Sequence, residues 1–304
     1  MINTFIYSLN KNIFKLLSIY LKKEYKENID TLSLPVETNE FRKLINLFNP
    51  QKITYENIVF YTKSSEKFKE MVSSDFNILI FNSKQQMEEE AKSIKERDIE
   101  IINNYLNSKA IQKNPDLKPK IEQITTYINK FPSLKISESI QINSQYEEII
   151  TLLSLISIKK NLIIVDEEKV EENETIVLYY PLSLLVEINE LEENDAKTFL
   201  SSLNLSTDLE EEVEKIVKKI VDRILLHWTI FYTGNKKEVK EYLVPINTDV
   251  LKASSKIHTD IAKKFIQAEV CNITEMVDNK LPPFKTFGKT YIVQNHDYLS
   301  IKTS

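Results

Sequence analysis

The 304 residues are 42% hydrophobic, enough for two or three domains with cores of their own. A net charge of −5 excludes the strongly basic balance of a dedicated nucleic-acid binder. No apolar run reaches the roughly 18 residues of a membrane span, and Asn10, Lys11, Asn12 and Lys15 interrupt the apolar N-terminus where a signal peptide would be continuous.

The single cysteine, Cys271, excludes an internal disulfide and a cysteine-cluster zinc site, so the cytosol is the expected compartment. Glycine is scarcer than composition leads one to expect. Ordinary usage of about 7% predicts roughly twenty, whereas the chain has two, Gly234 and Gly288. Phosphate-cradling loops need glycine for positive φ and for close approach of backbone to the anion. Asparagine tolerates the left-handed region but cannot remove its own side chain. The count therefore excludes a Walker-A loop, a dinucleotide Gly-x-Gly-x-x-Gly loop and a Gly-x-Ser-x-Gly nucleophile elbow.

In chain order, residues 3–7 read as a strand and 14–23 and 40–48 as helices. Residues 57–61, 77–81, 161–165 and 175–179 read as further strands. Uninterrupted apolar runs of this kind suit a sheet covered on both faces, and the helices between them predict an α/β layer architecture. From 88 to 155 the pattern becomes charged helix, with Ile94, Ile99, Ile101, Ile102 and Leu106 as an apolar stripe. Pro115 and Pro119 precede a second helix near 120–129, and Pro132 opens a polar stretch. This predicts a helical insertion whose charges form a solvated face.

Thr207-x-x-Glu210 has the form of a capping box. It opens a long amphipathic helix through Val213, Ile216, Val217, Ile220, Val221, Ile224, Leu225 and Trp228. The acidic runs at 187–195 and 208–214 lie before or in its first turns, where the helix dipole favours negative charge, and read as surface. Beyond it lies a β-rich tail, with strands near 239–244, 265–270 and 291–294 and turns at 233–236 and 295–297.

The histidines are His227, His258 and His296. None reads as catalytic: His227 packs on the helix beside Trp228, His258 with Asp260 has a structural or binding role in the tail, and His296 lies in a turn with Asp297. Lys236, Lys237, Lys240, Lys263 and Lys264 make the tail locally basic, as a solvated surface or as phosphate contacts for structured RNA.

Three ordered blocks of the tail carry a resemblance. They are Phe231-Tyr-Thr-Gly-Asn-Lys-Lys-Glu-Val-Lys240, Lys256-Ile-His-Thr-Asp-Ile-Ala-Lys-Lys-Phe-Ile-Gln-Ala-Glu-Val270 and Gly288-Lys-Thr-Tyr-Ile-Val-Gln-Asn-His-Asp297. Together they resemble the C-terminal TGS domain of the Obg-like ATPase (YchF) family, most specifically at Ile257-His-Thr-Asp260 followed by Phe265-Ile-Gln-Ala-Glu-Val270. Upstream, Phe41-Arg-Lys-Leu…Asn49-Pro50-x-Lys52-Ile53, Arg97-Asp-Ile-Glu-x-Ile-Asn103 and residues 195–205 resemble other stretches of the same family.

The resemblance implies a P-loop GTPase-like α/β fold with a helical insertion and a C-terminal β-grasp TGS domain. The expected boundaries are 1–87 and 156–228 for the two parts of the G domain, 88–155 for the insertion and 229–304 for TGS. It also allows each nucleotide element to be inspected in place. Where the family has its Walker-A loop stand Ser8-Leu-Asn-Lys-Asn-Ile-Phe-Lys15. Ser8 and Ile13 replace the glycines and Phe14 the phosphate lysine, Lys15 takes the place of the magnesium-binding hydroxyl, and Asn10 and Asn12 fill the loop. Where the family has the second-switch Asp-x-x-Gly stands Thr62-Lys-Ser-Ser65. The base-reading Asn-x-x-Glu corresponds to residues 166–170, with Glu167 in the asparagine's place, and the last base loop to Tyr179-Tyr180-Pro181.

Losing three or four charged hydrogen bonds costs roughly 5–10 kcal/mol of binding, and phosphoryl transfer depends almost wholly on such positioning. This degenerate G domain therefore predicts a pseudo-NTPase without catalytic residues, cofactor or metal. It would bind or scaffold in a translational, ribosome-linked setting through Lys236, Lys237, Lys240, His258, Asp260, Lys263 and Lys264. The partner would be the ribosome, structured RNA or a protein. The alternative is an ATP- or GTP-binding hydrolase using other contacts, through Lys11 or Lys15, and a third class is a subunit that dimerises through its helical insertion.

Overall fold

The computed structural model describes residues 1–8, 11–26, 29–62, 67–130, 144–167 and 177–304. Asn10, Lys63, Ser64, Ser65, Pro132 and residues 168–170 and 175–176 lie outside them. The chain divides into two compact units, one of residues 3–32 and 60–220, the other of 1–2, 33–59 and 221–304. The division departs from the expected boundaries at 33–59, which join the C-terminal residues instead of the first part of the G domain.

The larger unit is built on parallel strands. β1 (Ile2–Tyr7) pairs with β5 (Phe76–Phe81), β5 with β6 (Asn161–Val165), and β6 with β7 (Val177–Tyr179). The sheet order is β2-β4-β1-β5-β6-β7, where β2 (Thr31–Pro35) and β4 (Asn57–Tyr61) are the strands through which the chain passes from one unit to the other. Every residue of β5 and β6 is buried, as their unbroken apolar runs require.

Their opening asparagines are buried but satisfied. Asn77 Nδ2 donates to Asn161 Oδ1 at 2.9 Å and Asn77 Oδ1 accepts from Ser74 Oγ at 2.7 Å, so a polar clamp aligns the two strands. One core gathers Phe5, Leu79, Phe81, Ile163 and Val165 against Met71, Met87 and Ile94.

Helices α1 (Asn12–Tyr20), α3 (Lys67–Ser73) and α4 (Lys84–Leu106) belong to this unit. The helical insertion continues through α5 (Lys109–Lys113), α6 (Leu117–Lys130) and α7 (Ser144–Leu153). α6 begins before Pro119, which sits in its first turn, where a missing N–H costs nothing. Ile121, Ile124 and Ile128 on α6 pack with Ile102, Ile111, Ile149 and Leu153 in a second core. Burial of each such side chain stabilises by about 1.5–3 kcal/mol.

Asp98 fastens the insertion to the sheet. It is fully buried and accepts from the Ile156 and Ser157 amides at 2.8 and 2.7 Å and from Ser157 Oγ at 2.7 Å. α8 (Leu182–Ile188), α9 (Glu193–Ser202) and α10 (Leu209–Leu225) follow. The cap of α10 is Asp208, whose Oδ1 accepts from Glu210 N at 2.9 Å, not Thr207 of the expected capping box. Asp is as good an N-cap as Thr and stands one residue nearer the first turn.

The smaller unit carries a mixed sheet in the order β11-β10-β12-β8-β9-β3. Its strands are β3 (Lys52–Thr54), β8 (Trp228–Gly234), β9 (Glu238–Pro245), β10 (Phe265–Asn272), β11 (Lys285–Phe287) and β12 (Asp297–Thr303). β3 runs parallel to β9, with Ile53 opposite Val239. α2 (Asn39–Phe48), α11 (Val250–Ile257) and α12 (Thr259–Lys263) complete it. Phe231, Tyr242, Val250, Phe265, Val270 and Leu299 form its core.

Two expectations fail in this unit. Trp228 opens β8 because α10 ends at Leu225, and residues 291–294 are a loop. That loop is held by Val250 N to Tyr291 O at 2.7 Å and Val293 N to Thr248 O at 3.0 Å, and the strand is 297–303.

Candidate functional site

The carboxyl ends of β1, β5, β6 and β7 form the edge where an open parallel sheet takes ligands. Short hydrogen bonds tie the elements that emerge there to one another. Asn12, at the start of α1, donates through Nδ2 to Ser183 Oγ at 2.7 Å. Ser183 donates its amide and hydroxyl to Asp166, directly after β6, at 2.9 and 2.5 Å. Glu167 accepts from Lys84 N at 3.0 Å, at the start of α4.

Lys11 pairs with Asp30 at 2.5 Å, and the Asp30 carbonyl accepts from Thr62 N at 3.0 Å. Tyr7 Oη and Lys67 Nζ both reach Glu90, at 3.1 and 2.9 Å. Lys15 lies over the Tyr25 ring at 5.9 Å. Ile13 and Phe14 point into the core, each 1% exposed, and Ser8 is half-buried. Asn10 and Ser65 fall outside the described residues. Ile13 and Phe14, which the resemblance sets at the second glycine and the phosphate lysine of the family's loop, thus belong to the core of this unit. No phosphoryl-transfer step is assigned to them.

In the smaller unit the strand registers bring the tail's lysines together. β12 runs parallel to β8 and antiparallel to β10, with Phe265 opposite Thr303. The β8–β9 turn with Lys236 and Lys237 therefore lies at the same end of the sheet as Lys263 and Lys264, and Lys264 O accepts from Ser304 N at 3.1 Å. Asn235 Oδ1 shapes that turn by accepting from Lys237 N at 2.7 Å. Lys240 stands apart, over the Tyr242 ring at 4.7 Å.

His258 and Asp260 serve α12. The imidazole Nδ1 accepts from Asp260 N at 3.1 Å as the helix N-cap, and the Asp260 carboxylate lies 3.8 Å from Lys263. They support the loop that presents Lys263 and Lys264.

Sequence reasoning missed a buried polar chain beneath the same sheet. Thr38, the N-cap of α2, is 2.7 Å from Tyr232 Oη, which lies 2.9 Å from His296 Nδ1. Thr38 Oγ1 also donates to Glu241 at 3.4 Å. Glu241 is fully buried, and burial, reinforced by the like charges of Glu56 and Glu37, raises its carboxyl to about 8. His296 is held below the ordinary histidine range by burial. The alternation Glu-Tyr-Leu-Val along β9 was the available signal, because it puts Glu241 on the face opposite Tyr242.

This architecture, a parallel sheet with a helical insertion joined to a second unit with its own mixed sheet, is that of a GTPase-type G domain with a C-terminal domain. It superposes on a chain titled "Structure of the Schizosaccharomyces pombe YchF GTPase" with a TM-score of 0.69 at 15% identity, covering 99% of this chain and 97% of that one. A GTP-binding protein from Pyrococcus horikoshii OT3 gives 0.57 at 13% identity, with both chains covered in full. The family model YchF-GTPase_C, described as "Protein of unknown function (DUF933)", matches residues 228–304.

"Ribosome-binding ATPase YchF" of Buchnera aphidicola subsp. Acyrthosiphon pisum (strain APS) is 22% identical over 241 residues, 67% of this chain and 65% of that protein. "Obg-like ATPase 1" of Caenorhabditis elegans is 34% identical over 79 residues, 24% of this chain and 20% of that protein. The chain is thus similar to YchF proteins over two thirds of its length, and its C-terminal residues 228–304 match the family's C-terminal model. It spans about 65% of the length of that Buchnera relative. The relatives' names correct the expectation that the chain is not an enzyme, for they are called ATPases and a GTPase. The loss of glycines was too narrow a ground for that expectation.

Proposed function

We propose that this chain is a ribosome-binding, cytoplasmic protein of the YchF family that docks through the lysine-bearing end of its C-terminal sheet, the part read as a TGS module. The supporting observation is the register that gathers Lys236, Lys237, Lys263 and Lys264 at one end of that sheet. Lysines on short loops act as mobile point charges for phosphate, and relatives matched over two thirds of the chain are named ribosome-binding. Structured ribosomal RNA is the partner chemistry this end suits. Sedimentation of the tagged chain through ribosome gradients at low salt tests the reading. Co-migration that is lost in the Lys236→Glu, Lys237→Glu double variant supports it; migration as free protein at every salt overturns it.

A second reading is favoured by the relatives' names: hydrolysis of ATP or GTP, with nucleotide contacts from Lys11 and Lys15 in place of a glycine loop. Calorimetry with ATP, GTP and ADP in magnesium separates the two. Saturable heat that Lys15→Ala removes supports hydrolase chemistry at this crevice; heat no greater than dilution eliminates it.

A further inference from the structure

A groove of about 620 Å³ runs along the smaller unit between the end of α10, the turn after β9 and the 292–296 loop. Its volume falls in the range of ligand sites, roughly 300–1,000 Å³. Trp228, Leu225 and Leu226 line it from one side and Ile246 and Ile292 from the other. Three of these side chains are held out in water, Leu226 at 64%, Ile246 at 49% and Ile292 at 39% exposure. Converging exposed apolar side chains mark interaction surfaces.

The walls are preformed. Ile246 N donates to His227 O at 3.3 Å, His296 N to Ile230 O at 2.7 Å and Ile230 N to Asn295 Oδ1 at 2.9 Å. Asn247 and His296, at φ 65° and 67°, make the two turns that aim the walls at each other. A groove that exists before its ligand arrives avoids the ordering cost of binding.

Charge selects the occupant. Among the described residues of the lining, Asp222 is the one acidic group and there is no lysine or arginine, while Gln294, Asn295 and Asn247 supply neutral polar groups. A polyanion finds no counter-charge here, whereas an apolar segment with one cation finds both a floor and a carboxylate. We propose that this groove docks a short apolar segment of a partner protein that carries a lysine or arginine to meet Asp222.

The chain's one tryptophan, Trp228, lies in the lining and reports directly on occupancy. The full chain is titrated with a decapeptide of leucine and phenylalanine bearing a single lysine, with the same peptide bearing glutamate, and with single-stranded RNA. The expected result is a saturable change in Trp228 emission with the lysine peptide and about fivefold weaker binding of the glutamate peptide. Ile246→Asp and Leu226→Asp, both at exposed positions, abolish the response while circular dichroism is unchanged. Asp222→Asn brings the two peptides to equal affinity. Peptide responses indifferent to these substitutions, a response to RNA alone, or no response to any probe overturns the proposal. The Lys236→Glu, Lys237→Glu variant leaves the titration intact, so failure here and failure of ribosome docking are distinguishable.

Discussion

Asp98 bears on stability through partners that lie far along the chain. Its carboxyl is raised by burial, against the opposing pull of the Ser157 and Ile156 donors and Arg97. Asp98→Ala strands two buried amides and the Arg97 guanidinium, which lies 2.6 Å away. The expected loss is about 3–5 kcal/mol in urea unfolding, with the denaturant slope unchanged. Sequence reading placed Asp98 in a family-like stretch but not in a role, because its acceptor geometry depends on residues 58 positions away.

Glu241 gives a pH signature. Its folded carboxyl, at about 8, lies above the ordinary glutamate value of 4.5, so the native state favours the protonated form. Its contribution is therefore intact below about pH 4.5 and is lost as pH rises through 8. Thermal midpoints measured from pH 6 to 9 should fall, and Glu241→Gln should flatten that fall. His296, shifted the opposite way for its type, acts on the acid side: its penalty grows as pH drops below 6.5.

At the level of elements, legibility followed local periodicity. The strands at 77–81 and 161–165 are readable because a doubly covered strand needs an unbroken apolar run, and 57–61 carries such a run although only alternate residues of it are buried. β2 is not readable, since Thr31–Pro35 alternates and ends in proline, and β3 has only three residues. The 291–294 stretch has strand-like composition, yet its hydrogen bonds go to the residues around α11. The C-terminal sheet's lysines were visible as charges; that two pairs share one sheet end was not, because register is a long-range property. The groove was hidden for a related reason: Trp228 continued a helical rhythm that the chain abandons after Leu225.

Capping gives an element-scale prediction. Asp208→Ala should cost about 1 kcal/mol by removing the acceptor for Glu210 N, and Thr207→Ala should stay within about 0.5 kcal/mol. Equal effects in paired thermal melts would restore the capping box in solution.

For the molecule as a whole, a net charge of −5 opposes binding to a polyanion, so the proposed ribosome docking requires a local, salt-sensitive contact. The logarithm of the association constant should fall linearly with the logarithm of salt concentration. The Lys236→Glu, Lys237→Glu variant should reduce that slope by roughly 1–2. An unchanged slope would move the contact elsewhere on the surface.

The two main stretches of the smaller unit, 33–59 and 221–304, are widely separated in synthesis. Thr54 Oγ1 bonds Glu238 at 2.8 Å across 184 positions, and the Phe41 ring stacks on Tyr232 at 5.6 Å. On a translating ribosome, α2 and β3 therefore emerge long before β8 and β9 exist to receive them. Until then the Phe41 and Leu44 face waits exposed, a binding target for holdase chaperones. Excising 228–304 creates the converse defect, a β9 edge with no β3 to cover it. A fragment that retains 33–59 in trans should be the smallest version of this unit that stays monodisperse.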